Sequence, residues 1–238
     1  MMFRGVPAQY GQEIVKRRFR LTHQRVSLER KIILDCGCGN GAQTYEFLKS
    51  GGSIFAADIE FSNLKNFSDV LQHKQSTSAL PVQCDGARLP LPSNSVDVVL
   101  CYEVLEHVPD ESRQLREIHR VLKPQGELIL SVPNKGWIFE THGKQPPFLP
   151  LNRVPFLSWL PRSLHRRISF ARIYRKGEIV QLLKDHSFNV TEAVYITAPM
   201  DVVTIPWLKR LLRSTIFSGD TTAWAFLSTS ILVHCHKV

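Results

Sequence analysis

Lys31-Ile32-Ile33-Leu34-Asp35-Cys36-Gly37-Cys38-Gly39-Asn40-Gly41 is the stretch that decides the fold of this chain. Ile32, Ile33 and Leu34 make a short apolar run, the mark of a strand buried on both faces. Glycines at 37, 39 and 41 then allow a tight turn and a close approach of backbone to a ligand. The pattern becomes helical from Ala42 to Lys49, with Phe47 and Leu48 on an inner face, and Gly51-Gly52 stops it. Strand, glycine turn and helix is how α/β folds bind nucleotide-like ligands, because the new helix offers free N–H groups and a positive dipole end.

The same alternation continues downstream. Ser53–Asp58 reads as a second strand ending in an acid, followed by a helical stretch from Glu60 to Gln72. A carboxylate at that point suits both hydroxyls of a ribose, and it equally suits the start of a helix. Leu80–Gly86 is a third strand with its exit, Ser95–Cys101 a fourth and Glu127–Asn134 a fifth. A helix from Asp110 to Leu122 precedes the fifth, ended by a turn at Lys123-Pro124-Gln125-Gly126. Strands separated by helices predict a parallel sheet with helices on both sides.

Gly37-x-Gly39-x-x-Ala42 fits the dinucleotide fingerprint, but alone that is a weak signal. The fuller pattern, Asp35-x-Gly37-x-Gly39-x-Gly41, resembles the first motif of class I S-adenosylmethionine-dependent methyltransferases. Tyr102-Glu103-Val104-Leu105-Glu106-His107-Val108-Pro109 resembles the type 11 subgroup, as does Leu122-Lys123-Pro124-Gln125-Gly126-Glu127-Leu128. The resemblance runs from about Lys31 to Asn134, under half of the chain. It implies S-adenosylmethionine as cofactor and a seven-stranded, Rossmann-like, doubly wound, mostly parallel sheet of order 3-2-1-4-5-7-6. The cofactor-binding positions it implies are Asp35, Gly37, Cys38, Gly39, Gly41, Asp58, Ile59, Asp85, Gly86, Ala87, Tyr102 and Glu103. Asp58 then takes the ribose, and Asp85 either holds the adenine amino group or caps its own turn. His107 borders the transferred methyl in this family. An imidazole there suits a general base, and it equally suits orienting the loop or packing on adenine.

Composition narrows the class. The chain has 238 residues, 43% of them hydrophobic, which suits one soluble α/β domain with a full core. No apolar run approaches the length of a membrane span, and Met1–Gly5 lacks the apolar core of a signal peptide. Five cysteines, an odd number, sit in apolar runs or the glycine turn, so they are expected reduced in the cytoplasm. Cys36 and Cys38 lack metal-ligand spacing, and no metal is expected. Net charge is +9 and pI is about 9.5, a balance compatible with nucleic acid, an anionic membrane surface or acidic substrates. Basic residues gather at 16–30 and again at 153–176.

Four segments follow: residues 1–30, a basic N-terminal helix (Gln12 to about Leu28); 31–134, the cofactor-binding core; 135–175, a cover; and 176–238, the rest of the sheet. The basic helix is expected to pack on the sheet edge, with a cofactor-covering or anion-binding role as the alternative. Residues 135–175 interleave prolines, aromatics (Trp137, Phe139, Phe148, Phe156, Trp159) and arginines (Arg153, Arg162, Arg166, Arg167). In the family this position covers the acceptor, and His142 is a second candidate base. A helix is expected at 179–184, a sixth strand at 188–196, a short basic amphipathic helix at 205–212 and a last, antiparallel strand at 224–233. The function expected is methyl transfer to a small-molecule or lipid- or sugar-linked acceptor, with peripheral contact to an anionic membrane. An RNA methyltransferase and a non-catalytic cofactor-binding domain are the alternatives. RNA is less favoured, because the chain lacks an added RNA-binding domain and the Asn/Asp-Pro-Pro-Tyr motif of amino-group methylation.

Overall fold

A computed structural model describes residues 7–139, 154–169 and 171–238. Strands β1 (Ile32–Cys36), β2 (Ser53–Asp58), β3 (Ala79–Gln83), β4 (Val96–Tyr102) and β5 (Leu122–Pro133) pair in parallel. Strands β6 (Phe188–Thr197), β7 (Thr221–Thr222) and β8 (Ser228–Lys237) extend the sheet with antiparallel pairs. The order is β3-β2-β1-β4-β5-β8-β6-β7. This is the expected arrangement with one addition: β7, pairing Thr221 and Thr222 with Ile196 and Tyr195, makes eight strands instead of seven. Two threonines are too short a run to show a strand period.

The apolar runs are buried on both faces because alternate residues serve opposite helix layers. Ile33, Val98, Leu100 and Ile129 pack with Leu21 of α1 (Glu13–His23) and Phe47 of α2 (Ala42–Phe47). Leu34, Val99, Leu128 and Leu130 pack on the other side. Their partners there are Leu115 and Ile118 of α4 (Glu111–Val121) and Ile179 and Leu183 of α6 (Lys176–Asp185). Each such side chain contributes about 1.5–3 kcal/mol by burial. Between β2 and β3, α3 (Phe61–His73) sets Leu64 and Phe67 against Cys38 and Ala56. Asp110 caps α4, accepting the Arg113 N–H at 3.0 Å. The remaining helices are α5 (Arg162–Ile168) and α7 (Pro206–Ser214).

Two boundaries differ from expectation. The Lys123–Gly126 turn lies inside β5, because Leu122 already pairs with Val96 and the turn is absorbed by Gln125 at φ 61°. The last strand starts at Ser228 and runs to Lys237. Buried Asn134 donates to the carbonyls of Ala225 and Ser228 at 2.7 and 2.8 Å, holding residues 225–227 as a 3-10 turn ahead of the strand.

Candidate active site

The C-terminal ends of β3, β2, β1 and β4 stand side by side, with the strand order reversing direction between β1 and β4. Ligands in such sheets bind at that reversal. The glycine turn is shaped first by protein contacts. Gly37 has φ 83°, and a Cβ there would stand 2.3 Å from the Val104 side chain; Gly41 has φ 79°, and a Cβ would stand 2.0 Å from the Phe67 ring. No side chain fits either position. The Gly37 and Cys38 N–H groups donate to Ala57 O at 2.7 and 2.9 Å, fastening the turn to β2.

Asp58 joins both sequence readings in one side chain. Its Oδ2 accepts the Gly39 N–H at 2.8 Å, and its Oδ1 accepts the Glu60 N–H at 2.8 Å at the start of α3. A carboxylate has about four acceptor sites, so capacity remains for further donors. Ile59 beside it is 46% exposed, an apolar platform next to the acid. Asp85 is exposed and caps its own turn, its Oδ1 accepting the Ala87 N–H at 2.9 Å across Gly86.

Three positions expected at the cofactor have side chains buried in the protein. Asp35 is 1% exposed and accepts the Thr44 hydroxyl at 2.6 Å, so it orients α2 from beneath the turn. Burial lifts its carboxyl to about 7. The Cys38 side chain is buried, and desolvation pushes its thiol well above the ordinary range. Tyr102 is buried with its hydroxyl 2.6 Å from Thr22 Oγ1, its ring facing Phe47 and lying under the Arg18 guanidinium at 5.8 Å.

Glu103 follows Tyr102 with a left-handed backbone (φ 54°), its carboxylate accepting Ser131 Oγ at 2.8 Å and pairing with Arg18 at 3.0 Å. Glu106 is buried with its Oε1 3.8 Å from His107 Nε2. Burial, and then the charge of Glu103, hold the Glu106 carboxyl well above its usual value. The His107 side chain is 11% exposed, on a loop whose Val104 side chain lies against Gly37. Arg172 and Tyr174 tie this loop down, Arg172 to the carbonyls of Val108 and Pro109 and Tyr174 to Glu111 at 2.6 Å. His142 lies outside the described residues, as do the side chains of Arg162 and Arg166.

Sequence reasoning missed what the N-terminal segment contributes. Pro7 would meet a Cβ on Gly39 at 3.0 Å, and Tyr10 donates its hydroxyl to Asn40 O at 2.6 Å. Partial burial pushes the Tyr10 hydroxyl up to about 12. Arg17 is buried and donates to Thr197 O at 2.8 Å; Arg20 binds Asp220, and Arg25 binds Glu192 at 2.7 Å. So much of the first basic cluster is used inside the protein. The only signal for this was basic residues lying next to an apolar stripe, which does not say where they reach.

The family model for a methyltransferase domain, type 11, matches residues 34–130, the span that carries the glycine turn, Asp58, Asp85 and His107. A ubiquinone biosynthesis O-methyltransferase of Pseudomonas paraeruginosa is 29% identical over 179 residues, covering 73% of this chain and 71% of the relative. The chain is an S-adenosylmethionine-dependent methyltransferase, and its residues 34–130 match the type 11 methyltransferase domain. Its cofactor is S-adenosylmethionine. The fold of this methyltransferase is shared with solved structures. One, a methyltransferase from Aquifex aeolicus, has a TM-score of 0.62 at 16% identity, with 93% of this chain and 89% of that chain covered. Another, the [4+2]-cyclase SpnF, has a TM-score of 0.65 at 16% identity, with 93% and 80% covered. At such identity the likeness is one of fold, and two different activities on it show that chemistry must be argued from the site.

Proposed function

We propose that this methyltransferase acts on a hydroxyl of a small amphipathic acceptor, lipid- or sugar-linked, presented at the anionic face of a membrane. The observation that carries the reading is the seating of the Glu103–His107 loop against Gly37 through Val104, on a loop that carries an imidazole three residues further on. The O-methyltransferase name of the relative supports a hydroxyl acceptor.

The residues present fit the cofactor. The glycine turn has no room for side chains, Asp58 keeps acceptor capacity for ribose hydroxyls, and Asp85 with Gly86 and Ala87 forms the turn proposed to border adenine. Bound there, S-adenosylmethionine supplies a methyl already activated on sulfur, so alignment of the acceptor gives much of the rate. His107 takes the proton of the acceptor hydroxyl as that oxygen becomes the nucleophile. Burial, and then the charge of Glu103, shift the Glu106 carboxyl beside it upward, toward its uncharged form. His142 is the second candidate for the same proton.

The test is transfer of labelled methyl from S-adenosylmethionine into separated lipid, sugar and RNA fractions. Label in a lipid or sugar-lipid fraction, lost with His107→Ala, is expected. Label in RNA alone would replace this reading with RNA methylation.

A further inference from the structure

The connector between β6 and β7 carries a surface that the active site does not use. Residues 202–219 contain three cations, Lys209, Arg210 and Arg213, and no acid. Within it α7 has no buried residue along its nine positions. Trp207 is 67% exposed and Leu211 is 51% exposed, four residues apart on one side of the helix, with Arg210 between them in sequence. Val202 and Ile205 just before the helix are also exposed.

Further exposed aromatics lie on segments linked to the base of α7 through the start of the cover. Trp137, buried, packs with Met200, Val203 and Leu212 beneath α7. A Cβ on the adjacent Gly136 would stand 2.6 Å from Ala225, which sits between exposed Trp224 and Phe226, and the Gly136 carbonyl takes the indole N–H of exposed Trp159 at 3.3 Å. A shallow depression of about 460 Å³ along α7 is lined by Lys209, Arg210 and Arg213 with Thr204 and Ser214. Arg213 is paired with Asp201 at 2.7 Å, whereas among the described residues Lys209 reaches a backbone carbonyl and Lys209 and Arg210 have no acid partner, so these two carry positive charge along the helix. A soluble helix normally hides its apolar stripe; one that exposes Trp and Leu beside cations matches the interface between acyl chains and anionic head groups.

We propose that α7, with the flanking Val202 and Ile205 and the Trp224–Phe226 turn, is a docking surface for an anionic lipid bilayer. The proposal deepens the amphipathic-acceptor reading and rests on it for its purpose, since α7 follows β6 and the Trp224–Phe226 turn precedes β8, beside the end of β5. Among the described residues no helix is long and apolar enough to cross a membrane, so the contact is peripheral.

The experiment is co-sedimentation of the full chain with phosphatidylcholine vesicles, with and without phosphatidylglycerol. Binding is expected only with phosphatidylglycerol, weakening as salt rises. Lys209→Ala and Arg210→Ala should each weaken it about fivefold. Trp207→Glu with Leu211→Glu should abolish it while S-adenosylmethionine binding and melting temperature stay unchanged, because both side chains are exposed. A wild-type chain that stays in the supernatant at low salt overturns the proposal. So does a double variant that still sediments, or one whose only change is loss of a dimer, which would make this face a contact between copies. The two readings fail separately. Vesicle binding without label in any lipid fraction leaves the docking surface standing, and label in lipid without vesicle binding leaves the acceptor reading standing.

Discussion

The two ends of this molecule that meet at β4 and β5 are built on opposite plans. At the ends of β1 to β3, polar groups near the turn are bonded back to the protein: Gly37 and Cys38 to Ala57, Gly39 to Asp58, Ala87 to Asp85. Beyond β6, α7 lies on the surface with Trp207 and Leu211 in solvent. A small ligand of fixed shape is served by dipoles locked in advance. A broad and fluid partner is served by exposed area. The family match covers the first region, residues 34–130, and stops before the second.

The largest effect that would sharpen this contrast is catalytic. His107→Ala should lower turnover by about 10²–10⁴-fold while S-adenosylmethionine affinity stays within a few-fold. Single-turnover rates beside calorimetric affinity measure the two. A change in turnover of only a few-fold would make His107 structural and pass the role to His142.

Next comes the rigidity of the turn. Gly41→Ala forces a Cβ to within 2.0 Å of the buried Phe67 ring at φ 79°. The cost is about 3 kcal/mol, seen as a fall in melting temperature of roughly 10 °C. An unchanged melting temperature would mean that the first region is as yielding as the second.

Asp58→Ala should weaken S-adenosylmethionine by about 1.5–3 kcal/mol, or about ten- to over a hundredfold, since it removes the acceptor of the Gly39 N–H and the proposed acceptor of the ribose. Calorimetry on the folded variant checks this. Equal affinity would take Asp58 out of the site.

The smallest effect is a slope. Asp35 keeps its proton up to about pH 7 when folded, whereas an unfolded Asp loses it near pH 4. Between those values the folded chain binds the extra proton, so this group makes stability fall as pH rises, and its contribution is flat above pH 7. Asp35→Asn cannot ionise. Its stability relative to the parent should rise by roughly 1 kcal/mol per pH unit across that window. Denaturant melts at several pH values read it directly, and parallel profiles would show that Asp35 is ionised throughout.

The legibility of the sequence follows the same divide. The glycine turn, the Asp58 position and the five parallel strands were readable because strand, turn and helix signals are local and repeat in order. The inward aim of Tyr102 and the burial of Arg17 and Arg18 were not. Tyr102 meets Thr22 across 80 residues, and Arg17 meets Thr197 across 180. The start of the last strand was displaced for a similar reason, because Asn134 fixes it from 94 residues away. The exposed face of α7 was visible as an amphipathic pattern, but pattern alone does not tell which side of a helix the protein covers.

The reach of Arg17 also orders events during synthesis. Helix α1 is made before the strands it packs on, yet the partners of Arg17 and Arg20 are Thr197 and, 200 residues away, Phe217 and Asp220. Contacts of such separation form late, after the local strand and helix pairs. The glycine turn is therefore expected to take shape well before Arg17 and Arg20 reach their distant partners. A nascent chain halted near residue 190 would hold a finished β1 turn and an α1 packed by its apolar side alone, with Arg17 and Arg20 still lacking their distant partners.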